Sequence, residues 1–249
     1  GGPLSPLLSN IVLDELDLAI YEGESVVILG GSGSGKSVLL KHMIGLLRPD
    51  SGRIVVDGID IATLGDREIT GFRRRFGMSF QEGALFDSMT VFENVAFPLR
   101  EKLRLKGEIV TRRVEEKLEQ VGLKGMGHKF PAELSGGMRK RAGLARALVM
   151  EPEIILFDEP TTGLDPLMAK AIHDLIVAMQ QQFKFTAVMV SHEIPEIFGI
   201  SDYVAMLKNG RIAEMAPSNE FVKTTDEEIR EFIFVAGTVT PKGLPTASL

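Results

Sequence analysis

The strongest constraint on this chain is Gly30-Gly31-Ser32-Gly33-Ser34-Gly35-Lys36-Ser37, set between Ser25-Val26-Val27-Ile28-Leu29 and a helical pattern running from Lys36 to Leu47. A short apolar run bounded by glycines reads as a buried strand, so the loop is a strand-to-helix turn. Glycines let the backbone curl until successive N–H groups face inward, and the helix start adds the positive end of its dipole. Such a loop cradles phosphate. In that setting the Lys36 amine reaches the β- and γ-phosphates of a nucleotide, and the Ser37 hydroxyl is placed to ligate Mg2+. Val38, next along the helix, completes the expected nucleotide-binding set.

The rest of the chain fits an α/β fold around that turn. Ile154-Ile155-Leu156-Phe157 and Ala187-Val188-Met189-Val190 are charge-free runs of the kind found in central parallel strands. Asp57-Gly58 and Asn209-Gly210 each divide two apolar stretches, which predicts hairpins and hence an antiparallel β element beside the parallel core. From about Pro98 to Met150 the pattern turns helical and charge-rich, with Val110, Val114, Leu118 and Val121 on one face. The expected division is a core of about 10–86 and 151–235, a helical insertion of about 87–150, and an aperiodic tail after 236.

Composition removes several functions. Among 249 residues there is no Cys, which excludes disulfides, thiolate metal sites and a cysteine nucleophile. The net charge of −6 argues against a nucleic-acid partner. No apolar stretch is long enough to span a bilayer, and the first basic residue is Lys36, which leaves no charged start for a signal peptide. The opening Gly1-Gly2-Pro3, without Met, suggests that the natural N-terminus is missing or altered.

The remaining candidates gain meaning from the loop. Asp158-Glu159 ends an apolar run. Beside a phosphate loop the first carboxylate can hold Mg2+ and the second can deprotonate an attacking water; alone, the pair could equally cap a turn before Pro160. Ser135-Gly136-Gly137 reads both as a helix start with Ser135 as N-cap and as an anion site. His192 and Gln81 carry little signal alone. Arg73-Arg74-Arg75 reads as a solvated helix face without functional role.

Taken in order, these residues resemble the ATP-binding subunits of ABC transporters: phosphate loop at 30–37, Gln81 as Q-loop, Leu134 to Met138 as signature, Phe157-Asp158-Glu159 as Walker B, Gly163-Leu164-Asp165 as D-loop, and His192 as switch histidine. The resemblance implies a P-loop NTPase core with an inserted helical subdomain. It also implies ATP and Mg2+ as ligands, Glu159 as general base, and Gln81 and His192 positioning water and γ-phosphate, with Gln81 also near the metal. In the homodimer so implied, Ser135, Gly136 and Gly137 of one protomer close over the other's nucleotide, and Asp165 links the two sites.

Within the family, Gln81 to Phe86, Phe97 to Glu101, a signature ending in Met138, and Val190 to Glu196 look most like the Mla-type ATPases of MCE-linked lipid transporters. The alternative is the ATPase of an osmoprotectant or amino-acid importer; osmoprotectant importers share Leu-Ser-Gly-Gly-Met but carry a C-terminal regulatory pair of domains, for which too few residues follow about 235. Non-transport ABC ATPases usually have two cassettes or a long coiled-coil insertion. The Mla-type resemblance implies an MlaE-type integral-membrane permease, an MCE-domain protein and a small STAS-domain subunit as partners, and a peripheral place on the cytoplasmic face of the inner membrane. It further implies a groove beside Gln81, lined by Gly83 to Phe86 and Phe97-Pro98-Leu99, that receives a permease helix. One departure stands out. The family stacks adenine on an aromatic residue shortly before the strand at Val12-Leu13-Asp14, whereas Ser5 to Ser9 contain none. Either the aromatic has been lost from the chain or adenine is held by apolar contact.

Overall fold

The computed structural model describes residues 8–9, 16–81 and 83–238. Its strands are β1 (Leu8–Ser9), β2 (Ser25–Leu29), β3 (Val55–Val56), β4 (Ile59–Asp60), β5 (Phe76–Ser79), β6 (Ile154–Asp158), β7 (Thr186–Ser191), β8 (Tyr203–Lys208) and β9 (Arg211–Pro217). Its α-helices are α1 (Lys36–Met43), α2 (Asp66–Phe72), α3 (Val91–Leu103), α4 (Glu108–Gln120), α5 (Gly136–Leu148), α6 (Pro166–Phe183), α7 (Ser218–Phe221) and α8 (Glu227–Thr238). The main sheet has the order β5-β6-β7-β2-β8-β9. It is parallel from β5 to β8, and only β9 runs antiparallel. A small antiparallel sheet, β1-β3-β4, contains the Asp57-Gly58 turn, and Asn209-Gly210 joins β8 to β9.

Both faces of the parallel sheet are covered, and side-chain alternation divides the core between them. On β2, Val27 and Leu29 join one apolar cluster, while Val26 and Ile28 join the other. β6 divides likewise, with Ile155 and Phe157 on the first side and Ile154 and Leu156 on the second. The first cluster takes in residues of α3, α4, α5 and α6; the second takes in α1, α2 and the small sheet. Val110, Val114, Leu118 and Val121 are all buried in the first cluster, as their spacing requires. That cluster runs without a break from the sheet into these helices.

Three details differ from the sequence reading. Helix α1 stops at Met43 rather than Leu47 because Gly45 takes a left-handed φ of 66°. Its N–H donates to the His42 carbonyl and the Leu46 N–H to the Lys41 carbonyl, the paired bonds of a Schellman ending. Helix α3 begins at Val91, ahead of Pro98, because Thr90 and Glu93 form a reciprocal capping box. Arg73 and Arg75 are not free on a solvated face. The Arg73 guanidinium donates to the Ile44 and Gly45 carbonyls at 3.2 and 2.6 Å, satisfying the end of α1. Arg75 pairs with Glu153 and Asp57.

Candidate functional site

Strand register decides what can meet. In the parallel ladder Leu29 lies level with Ser191 and Asp158 level with Val190, with β7 between β2 and β6. The phosphate loop, Asp158-Glu159 and His192 therefore leave the sheet at one carboxyl edge. Ligands of open α/β sheets bind there.

In the loop, Gly33 and Gly35 take φ of 79° and 96°, conformations that a side chain resists. A Cβ at Gly31, Gly33 or Gly35 would meet nothing within 4 Å, so the loop's inner surface is bare backbone. The buried Lys36 amine folds back to donate to the Gly30 and Gly31 carbonyls at 2.6 and 3.0 Å. Burial pushes the Lys36 amine below the ordinary lysine range, while Glu159 and Asp158 act in the opposite sense. The Ser37 hydroxyl donates to Asp158 Oδ1 at 2.9 Å, joining residues 121 positions apart. Beside the loop a cleft of about 670 Å3 is lined by Leu16, Ser34, Gly35, Val38, Leu39 and His42 among others. That is within the size range of small-molecule sites. Val12-Leu13-Asp14, Ser5 to Leu7 and Glu82 lie outside the described residues. In that cleft Val38, nearly half exposed, is the apolar residue of α1 on which a base could rest.

A hydroxyl facing a carboxylate beside a bare anion-binding loop is a donor set suited to Mg2+, which favours a few oxygen ligands completed by substrate phosphates. Among the described residues, no cluster of three or more His, Asp or Glu forms an independent metal cage.

Glu159 is held differently from its neighbour. It has left the strand with a φ of 47°, which is costly for a residue with a side chain. Its N–H donates to the Val190 carbonyl at 3.0 Å. One carboxylate oxygen accepts from the Thr162 hydroxyl at 3.1 Å, and the other lies 3.1 Å from His192 Nδ1. The carboxylate is thus aimed, not free to rotate. His192 keeps about half its side-chain surface open, so the pair faces outward where a water can approach.

Gln81 is exposed, and its backbone carbonyl accepts from the Lys140 amine, which also reaches the Glu159 carbonyl at 3.3 Å. Arg146 donates to the Gly83 and Ala84 carbonyls at 2.7 and 2.8 Å. Gly83 and Gly143 approach so closely that a Cβ at Gly143 would come within 3.0 Å of Gly83 backbone. Helix α5 therefore clamps the segment after Gln81. Sequence reasoning missed this, since Lys140 and Arg146 look like ordinary basic residues; their one signal is placement on the same helix that Ser135 caps.

Ser135 does act as N-cap, its hydroxyl accepting from the Met138 N–H at 3.3 Å. A Cβ at Gly136 or Gly137 would meet Leu164 or Met168, so the signature packs against the turn into α6, not against the phosphate loop of its own chain. Asp165 caps α6, accepting from the Leu167 and Met168 N–H groups. Phe86 is exposed and its ring packs 5.0 Å from that of Phe97. Leu99, by contrast, is wholly buried in the core and cannot line a surface groove, which corrects the expected lining.

Residues 13–162 match the ABC transporter family. The intermembrane phospholipid transport system ATP-binding protein MlaF of Haemophilus influenzae is 40% identical over 90% of this chain and 85% of that protein. The MlaF protein of Escherichia coli is 39% identical over 90% and 84%. A probable ribonucleotide transport ATP-binding protein, mkl of Mycobacterium tuberculosis, is 44% identical over 90% of this chain, but the chain spans only 63% of its length. Among solved structures, an ATP-binding cassette dimer in a post-hydrolysis state with ADP and Pi matches with a TM-score of 0.75 at 33% identity, covering 86% of this chain and 97% of that one. A cassette of the cbiONQ transporter complex of Clostridium perfringens matches at 0.78 and 33%, over 92% of both chains.

Proposed function

The chain belongs to the ABC transporter family as an ATP-hydrolysing cassette, and from that premise we propose that two copies bind ATP between them to drive phospholipid movement through an MCE-linked permease. The convergence of Lys36, Ser37, Asp158, Glu159 and His192 on one sheet edge carries the hydrolytic half of this reading. In it, Lys36 turns from its own loop carbonyls to the β- and γ-phosphates, which the loop N–H groups from Gly30 to Val38 surround. Mg2+ would be held by Ser37, Asp158 and Gln81 and would neutralise charge on the phosphate oxygens. Glu159, aimed by Thr162, takes the proton of the attacking water, and His192 and Gln81 position that water and the γ-phosphate.

Dimerisation supplies what one chain lacks. The signature faces α6 of its own protomer. We therefore read Ser135, Gly136 and Gly137 as the anion site offered to the partner's nucleotide, with Asp165 at the junction. The solved relative is itself a dimer. Residues 87–150 are then the inserted helical part that presents the signature and moves with closure.

Two names compete for the cargo. The phospholipid transport relatives match along 84–85% of their length and the ribonucleotide transport relative along 63%. Coverage favours the lipid reading. No helix among the described residues is long and apolar enough to cross a membrane. On this reading the cassette acts peripherally, at the cytoplasmic face of the inner membrane, through separate permease, MCE-domain and STAS-domain subunits. The test is co-expression with an MlaE-type permease, pull-down, and ATPase assay in phospholipid vesicles. Lipid-stimulated hydrolysis that Phe86→Asp abolishes, with basal rate intact, supports the proposal. Stable capture by a nucleoside permease instead overturns it.

A further inference from the structure

Behind the Glu159–His192 pair lies a second polar chain, buried at two of its three members and used by nothing above. Thr161 and His173 are 1% and 2% exposed. The Thr161 hydroxyl donates to Glu193 Oε2, and its oxygen lies 3.3 Å from His173 Nε2. A hydroxyl has one proton, so once Glu193 receives it, the contact with the ring requires that Nε2 carry the hydrogen and donate. That fixes the tautomer and leaves Nδ1 bare; Nδ1 is buried and has no hydrogen-bond partner. Leaving a buried ring nitrogen unpaired costs on the order of 1–3 kcal/mol, which calls for an explanation.

The two polar chains run through adjacent residues. Thr162 holds one oxygen of Glu159 while Thr161, beside it, holds Glu193; His192 meets the other oxygen of Glu159 while Glu193, beside it, is held inward. The Glu193 N–H is further fixed by the Ser191 hydroxyl at 3.0 Å. Holding Glu193 through its carboxylate and its N–H fixes the backbone next to His192, whose ring lies on the Glu159 carboxylate. His173 also belongs to α6, the helix capped by Asp165 and packed against the signature.

We propose that His173 is a positioning residue for ATP hydrolysis, which through Thr161 and Glu193 holds His192 against Glu159 and ties that pair to helix α6. The inference rests on Glu159 and His192 being the hydrolytic pair. Burial keeps the His173 imidazole below its ordinary range, although Glu193 and Glu196 from the segment after β7 and Asp174 on α6 act the other way; Lys170 acts with the burial. Burial and the Thr161 contact both favour the neutral ring with Nε2 as donor.

The chain contains four histidines, so long-range proton–nitrogen correlation spectra of the full-length protein can follow His173 and His192 separately. The wild-type spectrum at neutral pH is expected to show His173 as one Nε2–H tautomer, with its protonation lying below the ordinary histidine range. His173→Leu is expected to lower kcat on the order of tenfold, with KM for ATP within about twofold, because the loss is one of alignment. It should also move the His192 ring resonances, because the ring is no longer held against Glu159. His173→Gln, which keeps a donor, should restore most of the rate. If His173→Leu does not fold, Thr161→Val breaks the same chain while the imidazole stays, and the same losses are expected. An unchanged kcat with unmoved His192 ring resonances, or a His173 found as the Nδ1–H tautomer, overturns the proposal. Glu159→Gln run in parallel separates the cases: if it too keeps full rate, the hydrolytic reading has failed rather than the positioning one.

Discussion

The phosphate loop and the Glu159–His192 pair share one sheet edge, yet they are assembled in opposite ways. In the loop, Lys36 reaches carbonyls five and six residues back, and the cradle is contiguous backbone. In the pair, side chains 33 residues apart are held by Thr162, by a strand carbonyl, and by Lys140 arriving from α5. The first construction survives as a motif because its geometry is encoded in adjacent residues. The second leaves only scattered polar residues in the sequence, each ordinary in isolation.

If that contrast is right, the two regions should fail differently. Glu159→Gln keeps the shape but loses the basic carboxylate, so turnover is expected to fall on the order of 10²–10⁴ with nucleotide affinity kept. Steady-state hydrolysis within threefold of wild type would break the assignment. Lys36→Ala should act on binding instead. Losing a charge-assisted contact of about 1.5–3 kcal/mol weakens ATP roughly 10- to 100-fold by calorimetry. Equal affinity in the two proteins would remove Lys36 from the phosphate site.

The same contrast explains what the sequence allowed. Parallel strands, both hairpins and the buried face of α4 were legible because each is a local pattern of apolar spacing or turn chemistry. Boundaries failed where a cap decided them: Gly45 ended α1 early, and Thr90 with Glu93 began α3 ahead of Pro98. In the site, the loop, Asp158 and Glu159 could be read from context. Gln81 and His192 rose above background only through resemblance to a family, Glu193 was part of that resemblance without a role, and Lys140, Arg146, Thr161 and His173 did not rise at all. Their roles exist only once α5 and α6 are laid across the sheet.

A middle-sized effect probes that hidden layer. Arg146 carries no motif, but its guanidinium satisfies two carbonyls of the segment that follows Gln81. Arg146→Ala is expected to cost about 1.5 kcal/mol, because the Gly83 carbonyl and the more exposed Ala84 carbonyl lose a charged donor. The urea midpoint should drop with an unchanged m-value. A midpoint shift equivalent to less than about 0.5 kcal/mol would mean that α5 does not clamp this segment.

The smallest effects separate two arginines that the sequence could not tell apart. Arg73 donates to neutral carbonyls at the end of α1, where the helix has no internal partner for them, so Arg73→Met is expected to cost about 1 kcal/mol at any ionic strength. Arg75 carries two ion pairs, which look the stronger on paper. Its partners Glu153 and Asp57 are more than half exposed, and water screens such pairs. Arg75→Met should therefore cost less than about 1 kcal/mol, and raising salt toward 1 M should shrink even that. Urea titrations of both variants at low and high salt decide the matter. A larger loss at Arg75 than at Arg73, or a salt-dependent loss at Arg73, would mean that charge rather than helix capping holds this corner of the fold.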